Sequence, residues 1–267
     1  MNNNSYYVIG VMSGTSLDGI DLCYIHFEKA ESWSFKIINS ETRSYPLDWV
    51  NRLNMAIDLE REDLHLLDED YSHFLCDVIA AFIHHYNIDR LDAICSHGHT
   101  VFHKPEKGTT KQIGNLPLIA SKLQKIVVCD FRVQDVKLGG QGAPLVPIGD
   151  ELLFSEYHYC LNLGGFANIS FNKQNERIAF DICPVNIVLN HYSRLLGLEY
   201  DAEGIIARKG TLNRMLLKSL NELEFYKLSH PKSLGLEWVN AQVFPIIESM
   251  GLNIDDILNT FVEHIAL

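Results

Sequence analysis

The chain has 267 residues, of which 47% are hydrophobic and 21% charged, so it can bury a core without disulfides or a structural metal. Its 34 acidic and 22 basic residues give a net charge of −12, which repels phosphate backbones and anionic lipid surfaces. The composition argues against a disordered chain and against nucleic acid or membrane partners. An anionic ligand would need positive groups supplied locally.

The six cysteines include no C-x-x-C pair, which argues against a zinc ribbon or a redox dithiol. The first residues lack the basic and apolar regions of a secretory signal, and no apolar run is long enough to span a membrane. We therefore expect a cytoplasmic protein.

The first half of the chain predicts three strands, followed by helices that alternate with strands. The predicted strands cover residues 6–11, 20–27, 34–42, 91–96 and 126–130, and the predicted helices cover 47–55, 70–86 and 117–125. The segment 133–149 is rich in glycine and proline and predicts a linker or hinge. An ordered substrate loop is the alternative for its Gly-Pro stretch.

The second half repeats the opening pattern of strand, glycine turn, two strands and helix. Its predicted elements are strands over 159–163, 167–171 and 177–182 and a helix over 185–196. We expect an α/β protein with an internal duplication and with lobes at residues 1–130 and 131–267. The last predicted helix, 253–267, stops in apolar register without a cap and looks interrupted.

A turn with two glycines, two hydroxyls and two carboxylates separates the first two strands. Its residues are Gly14, Thr15, Ser16, Leu17, Asp18, Gly19, Ile20 and Asp21. Glycines allow a phosphate to approach the backbone, and Asp18 or Asp21 would then position Mg²⁺ through water. Ile20 stands where a Walker A loop has lysine, so this is not a P-loop. An ordinary hairpin turn fits the pattern equally well.

Two features of the second half fit a nucleotide-dependent enzyme. Gly164 and Gly165 form a second glycine turn, which would hold the other side of a polyphosphate. Asp181 ends a strand and is a candidate general base, although a turn carboxylate before Pro184 explains it as well.

Histidines and one arginine supply further candidates. His97 and His99, with His103, have the spacing of a zinc site, which would make the chain a metal-dependent hydrolase. Arg132 offers a planar fork to a carboxylate or phosphate, and a surface salt bridge is the alternative.

Taken together, these motifs closely resemble those of the anhydro-N-acetylmuramic acid kinases. The resemblance rests on IGVMSGTSLDGID at 9–21, on His97, Gly98, Thr100 and His103, on DFR at 130–132, on residues 138–147 and on NLGG at 162–165. The PKS-x-G motif at 231–235 and Asn240 also fit. The resemblance implies two ribonuclease-H-like lobes of the actin, Hsp70 and sugar-kinase superfamily around an ATP cleft.

The resemblance also implies a reaction. ATP and Mg²⁺ would be used to open the 1,6-anhydro ring of anhydro-N-acetylmuramic acid and to phosphorylate O6, in peptidoglycan recycling. It assigns Asp181 as the catalytic base and residues 14–21 to the phosphates of ATP. The roles of Gly164 and Gly165 towards ATP and of Asp18 and Asp21 towards Mg²⁺ stay those that the residue pattern gives above. It assigns His97, Thr100 and Arg132 to the amino sugar, and it leaves a homodimer open.

Three departures from the family pattern qualify this expectation. The family reads F-D-T-G-P-G-N around the base, whereas this chain has Ile182, Cys183 and Val185 in place of Thr and two Gly, and His99 replaces a usual Gln. The family chain continues about a hundred residues further, so we expect a truncated second lobe and weak ATP affinity. A family member that binds sugar or nucleotide without catalysis is the main alternative.

Overall fold

The computed structural model describes residues 4–267 except 15, 16, 18, 105–108, 140, 141, 143, 144 and 175. Contacts divide the chain into two compact units, Met1–Leu153 (unit 1) and Phe154–Leu267 (unit 2). Both units combine helices with sheets, so the predicted α/β class is confirmed in its coarse form. Within the described residues, no helix is both long and apolar enough to cross a membrane.

Unit 1 is built on a five-stranded mixed sheet with a small hairpin beside it. Its strands are β1 (Ser5–Ser13), β2 (Ile20–Lys29), β3 (Trp33–Arg43), β4 (Ala93–Ser96), β5 (His99–Lys104), β6 (Thr109–Ile113) and β7 (Val127–Val128). The large sheet has the order β3-β2-β1-β4-β7. β1 pairs antiparallel with β2 and parallel with β4, and β5 pairs with β6 in the separate hairpin.

The helices of unit 1 are α1 (Leu47–Met55), α2 (Arg61–His85), α3 (Leu118–Leu123), α4 (Phe131–Lys137) and α5 (Val146–Leu153). α2 starts nine residues before the predicted helix, because Leu64 and Leu67 continue its apolar stripe through a charged stretch. The linker predicted over 133–149 is partly wrong, since its two ends lie in α4 and α5.

Buried apolar side chains alternate with less buried ones along β1 and β2, so one face of the sheet of unit 1 lies in the core. Ile9 and Val11 on β1 and Ile20 and Leu22 on β2 are all at most 3% exposed. They pack in one cluster with residues of α2, including the fully buried Tyr71. The opposite face, which carries Gly10, Met12 and Cys23, is where the candidate site forms.

Unit 2 has one antiparallel sheet of three strands and a set of helices. The strands are β8 (Tyr159–Leu163), β9 (Phe166–Lys173) and β10 (Glu176–Pro184), in the order β10-β9-β8. The helices are α6 (Asn186–Leu195), α7 (Arg214–Asn221), α8 (Glu224–Lys227), α9 (Leu236–Trp238), α10 (Phe244–Ser249) and α11 (Ile254–Ala266). The core lies among the helices, around Val188, Leu216, Ile247 and Phe261.

The first strands of the two units differ in their surroundings. β1 has a partner on each side, whereas among the described strands β8 pairs only with β9. Tyr159, Leu161 and Leu163 on β8 are each more than half exposed. The repeated opening of strand, turn and two strands is present in both units, but among the described strands parallel pairing occurs only in unit 1.

Candidate active site

The β1–β2 turn is shaped by Leu17 and Gly19. Leu17 has a left-handed backbone (φ 56°), donates its N–H to the Gly14 carbonyl at 3.4 Å, and packs against the core of unit 1. A Cβ on Gly19 would lie 2.8 Å from the Arg43 carbonyl oxygen, so this position requires glycine. Thr15, Ser16 and Asp18, which the sequence assigns to phosphate and Mg²⁺, lie outside the described residues.

The two strand residues after this turn have different surroundings. Ile20 is fully buried in the core, so its side chain is structural. Asp21 is exposed and accepts a hydrogen bond from the Thr42 hydroxyl at 2.5 Å. Asp21 also lines a groove of about 570 Å³ whose wall includes His97. The structure thus brings one predicted Mg²⁺ residue and one predicted sugar residue to the same groove of unit 1.

His97 and Arg132 form a hydrogen-bonded pair. The Nε of Arg132 donates to Nε2 of His97 at 2.9 Å, and Nδ1 of His97 lies 2.8 Å from the Gly98 carbonyl. A carbonyl can only accept, so the proton sits on Nδ1 and the imidazole is neutral. Burial lowers the pKa of His97, and the charge of Arg132 lowers it further. Among the described residues, Arg132 makes no ion pair, so the rest of its fork is available to an anion.

The hydrolase alternative does not fit this geometry. Both ring nitrogens of His97 are engaged, and no group of three or more metal-ligating side chains occurs in the described part of the chain. His99 is only 4% exposed, and burial lowers its pKa to about 4. The side chain of His103 lies outside the described residues. Thr100 is on β5, where its hydroxyl is 3.4 Å from Nε2 of Gln112.

Asp181 on β10 is held by hydrogen bonds to the segment 232–234. Its Oδ2 accepts a hydrogen bond from the Leu234 N–H at 2.7 Å, and its own N–H donates to the Lys232 carbonyl at 3.1 Å. Burial raises the pKa of Asp181, and the Leu234 hydrogen bond partly opposes that shift. The Lys232 ammonium lies over the rings of Phe225 and Phe180 instead of pairing with the carboxylate. No partner for Oδ1 is found among the described residues.

The residues that depart from the family pattern next to Asp181 are packed. A β-bulge lies between Asp181 and Cys183, and Cys183 and Val185 are 3% and 6% exposed. With Ala167 they form a small apolar cluster, against which Ile182 also packs. The side chains that replace a hydroxyl and two glycines therefore support β10 from the core.

The second glycine turn contacts the start of α6. The carbonyl of Gly165 accepts hydrogen bonds from the N–H groups of Val185 and Ile187 at 2.8 and 3.2 Å, and the Gly164 carbonyl accepts from Asn186 at 3.2 Å. These carbonyls satisfy N–H groups at the helix end that would otherwise lack partners. Among the described residues, no atom lies within 4 Å of a Cβ placed on Gly165, so no described neighbour crowds that side of the turn.

Sequence reasoning missed two residues that hold the site. Leu234 contributes only its N–H to Asp181, and the signal for it was the PKS-x-G motif that surrounds it. Asn115 contacts both Asp130 and the His97 backbone, and the only local signal was its place after Gly114 at the end of β6.

Comparison with known proteins identifies the family. The model of the anhydro-N-acetylmuramic acid kinase family matches residues 6–267. The chain is 34% identical to the Haemophilus influenzae anhydro-N-acetylmuramic acid kinase, with 98% of this chain and 74% of that protein covered. It is 34% identical to the Vibrio cholerae enzyme of the same name, over 97% of this chain and 72% of that protein. It is 35% identical to the Shewanella denitrificans one, over 96% and 73%. The chain belongs to the anhydro-N-acetylmuramic acid kinase family.

Proposed function

We propose that this chain is an ATP-dependent kinase that opens the 1,6-anhydro ring of anhydro-N-acetylmuramic acid and phosphorylates O6. The product is N-acetylmuramic acid 6-phosphate, an intermediate of peptidoglycan recycling. Beside family membership, one observation carries the proposal: the half-buried guanidinium of Arg132 is held by a neutral imidazole and has no acidic partner among the described residues. Such a fork fits the lactyl carboxylate of this sugar.

Asp181 takes the role of the general base. Partial burial raises the pKa of Asp181 and so strengthens it as a base, while the Leu234 N–H on Oδ2 favours the ionised form. The other oxygen, Oδ1, would accept a proton from water. The packed residues 182–185 keep the carboxylate on β10 in spite of the departure from the family pattern.

The reaction balances with these groups alone. Asp181 removes a proton from a water molecule, and the oxygen of that water forms a bond to C1 of the sugar. The bond from C1 to the bridging oxygen breaks, and this oxygen, still attached to C6, forms a bond to the γ-phosphorus of ATP. ADP leaves with the electron pair of the broken P–O bond, and the proton on Asp181 returns to solvent.

The hairpin of residues 14–21 is proposed to hold the phosphates of ATP, together with the turn of Gly164 and Gly165. Mg²⁺ bound to nucleotide phosphates needs only one or two protein carboxylates, and the exposed Asp21 fits that donor set. Asp21, with Asp18, would hold the ion, which would neutralise phosphate charge. His97 and Thr100 are proposed to contact the sugar beside Arg132.

We infer that each unit derives from a ribonuclease-H-like lobe. The mixed sheet order of unit 1 and the strand, turn and two strands of unit 2 support the inference. The lobe boundary after residue 130 stays a prediction; α4 and α5, which follow it, fall in unit 1. The six free cysteines agree with the proposed cytoplasmic location.

A coupled assay tests the proposal. The full chain is incubated with ATP, Mg²⁺ and anhydro-N-acetylmuramic acid, and ADP and sugar phosphate are quantified together. We expect equal amounts of ADP and N-acetylmuramic acid 6-phosphate. Binding of the sugar by calorimetry without ADP release would instead identify a member that binds and does not catalyse.

A further inference from the structure

The side chain of Asn115 joins segments that are distant in sequence. Its Nδ2 donates to Oδ1 of Asp130 at 3.1 Å and makes a longer contact of 3.5 Å with the His97 carbonyl. The Asp130 segment leads into α4, and the His97 segment follows β4. Asn115 itself follows β6, so one amide links three loops.

The two loops that Asn115 links carry His97 and Arg132. Arg132 lies two residues after Asp130, and its Nε donates to His97 at 2.9 Å. These contacts close a ring. Asn115 is hydrogen-bonded to Asp130, the backbone connects Asp130 to Arg132, Arg132 is hydrogen-bonded to His97, and the His97 carbonyl contacts Asn115. A displacement of Asn115 would therefore change the geometry of the pair.

The backbone beneath Asn115 is fixed. Asp68, only 2% exposed, accepts a hydrogen bond from the N–H of Gly114 at 2.8 Å and pairs with Lys111 at 2.7 Å. On the other side, a Cβ on Gly98 would lie 2.8 Å from both amide atoms of Asn115. The amide is thus confined between Gly98 and the end of β6, where it has little freedom to move.

The orientation of the amide is determined by its neighbours. Both groups that it contacts, the Asp130 carboxylate and the His97 carbonyl, are acceptors, so the NH₂ must face them. The Oδ1 atom is buried and has no donor among the described residues. A buried oxygen without a donor costs free energy and calls for an explanation. The two contacts of the NH₂ group, which hold the segments of His97 and Arg132, supply one.

We propose that Asn115 is a positioning residue, which fixes the His97–Arg132 pair in the orientation that receives the carboxylate of the substrate. The kinetic part of this inference rests on the proposed function. The geometric part does not, because the state of the His97 ring can be measured without turnover.

The geometric test uses NMR of ¹⁵N-histidine-labelled full chain. We expect His97 of the wild type to be neutral with its proton on Nδ1, which is the minor form of a free imidazole. Asn115→Ala and Asp130→Gly should each shift His97 towards the Nε2–H form. Asp130→Gly keeps the left-handed backbone of that position (φ 59°) and removes the acceptor, so it serves where Asn115→Ala fails to fold. An unchanged His97 ring in the folded variants would overturn the proposal.

The kinetic test separates positioning from general damage. Asn115→Ala should raise KM for the anhydro sugar about tenfold, which is the loss expected of one such hydrogen bond, and leave KM for ATP and kcat within about twofold. Asn54→Ala, on an exposed position of α1, is the matched control and should change nothing. Equal loss in both KM values, or in kcat alone, would contradict the positioning role. If the wild type does not phosphorylate the sugar, the proposed function fails, and the His97 spectrum still decides the inference.

Discussion

The two units hold opposite charges in the same manner. In unit 1 the Arg132 cation is held by the neutral ring of His97, and in unit 2 the Asp181 anion is held by the N–H of Leu234. In the described residues neither charge has an oppositely charged side chain beside it. A partner that is a dipole orients a charge without neutralising it, so each charge stays available to a ligand. We infer that unit 1 recognises an anion and that unit 2 accepts a proton.

Removal of the charge in unit 2 should have the largest effect. Asp181→Asn keeps the shape and the acceptor for Leu234 but removes the base, so ADP release with the sugar should fall about 10²- to 10⁴-fold. Steady-state ADP release measures this. Asp77→Asn, exposed on α2, is the control and should retain full activity. Similar rates in the two variants would remove Asp181 from the chemistry.

Two left-handed glycines, one in each unit, allow the cost of backbone strain to be measured separately from the cost of steric crowding. Gly98 (φ 70°) and Gly197 (φ 77°) are both left-handed. A Cβ on Gly98 would lie 2.6 Å from the Ile113 carbonyl oxygen, whereas one on Gly197 would meet no described atom within 4 Å. Gly98→Ala should lower the free energy of unfolding by about 3 kcal/mol, and Gly197→Ala by about 1 kcal/mol. Urea titrations of both variants check the order. Equal losses would show that crowding around Asn115 is unimportant.

Each unit also buries a neutral histidine. Burial lowers the pKa of His99 and of His264 to about 4, whereas an unfolded chain keeps a histidine near 6.5. The unfolded state therefore binds the proton first, and stability that is complete above pH 6.5 is lost as the pH falls towards 4. Each of the two histidines should lower the free energy of unfolding by about 2 kcal/mol at pH 5.

Urea titrations at pH 7, 6 and 5 measure this loss. His99→Gln and His264→Gln should each flatten the dependence on pH. At pH 7 His264→Gln should cost more, because Tyr226 and Asn221 satisfy both nitrogens of His264, whereas Nδ1 of His99 has no partner among the described residues. The same dependence on pH in the wild type and both variants would refute the assignment.

The smallest effect is expected on β8. Leu161→Ala should change the free energy of unfolding by less than about 0.5 kcal/mol, because the side chain is 57% exposed. Ile9→Ala on β1, where the side chain is fully buried, should cost about 2–5 kcal/mol. A large loss at Leu161, measured by the same urea titration, would show that β8 is covered in solution.

Local pattern was sufficient for much of the fold. Alternation of apolar residues predicts β1, β2 and β9, and helical spacing predicts the second half of α2. The segment 133–149 differs from the prediction because its glycines and prolines conceal the ends of two short helices, whose partly buried side chains pack only in the folded unit. Tertiary packing, rather than local composition, decides those helices.

The charged residues of the candidate site and His97 were predictable from the sequence, but the hydrogen bonds that hold the two charges were not. Arg132 and Asp181 lie in motifs that the sequence displays. Their holders, His97 and Leu234, are 35 and 53 residues away along the chain, and Leu234 acts through its backbone. A hydrogen bond between such distant segments leaves no periodic trace in the sequence.

Recognition of the sugar carboxylate by Arg132 is the property on which the proposed function most depends. The most direct measurement compares KM for anhydro-N-acetylmuramic acid with KM for 1,6-anhydro-N-acetylglucosamine, which lacks the lactyl carboxylate, in the wild type and in Arg132→Gln. We predict that the wild type prefers the acid at least about tenfold and that the preference disappears in Arg132→Gln, because a charge-assisted pair is lost. The same preference in both proteins would contradict the account.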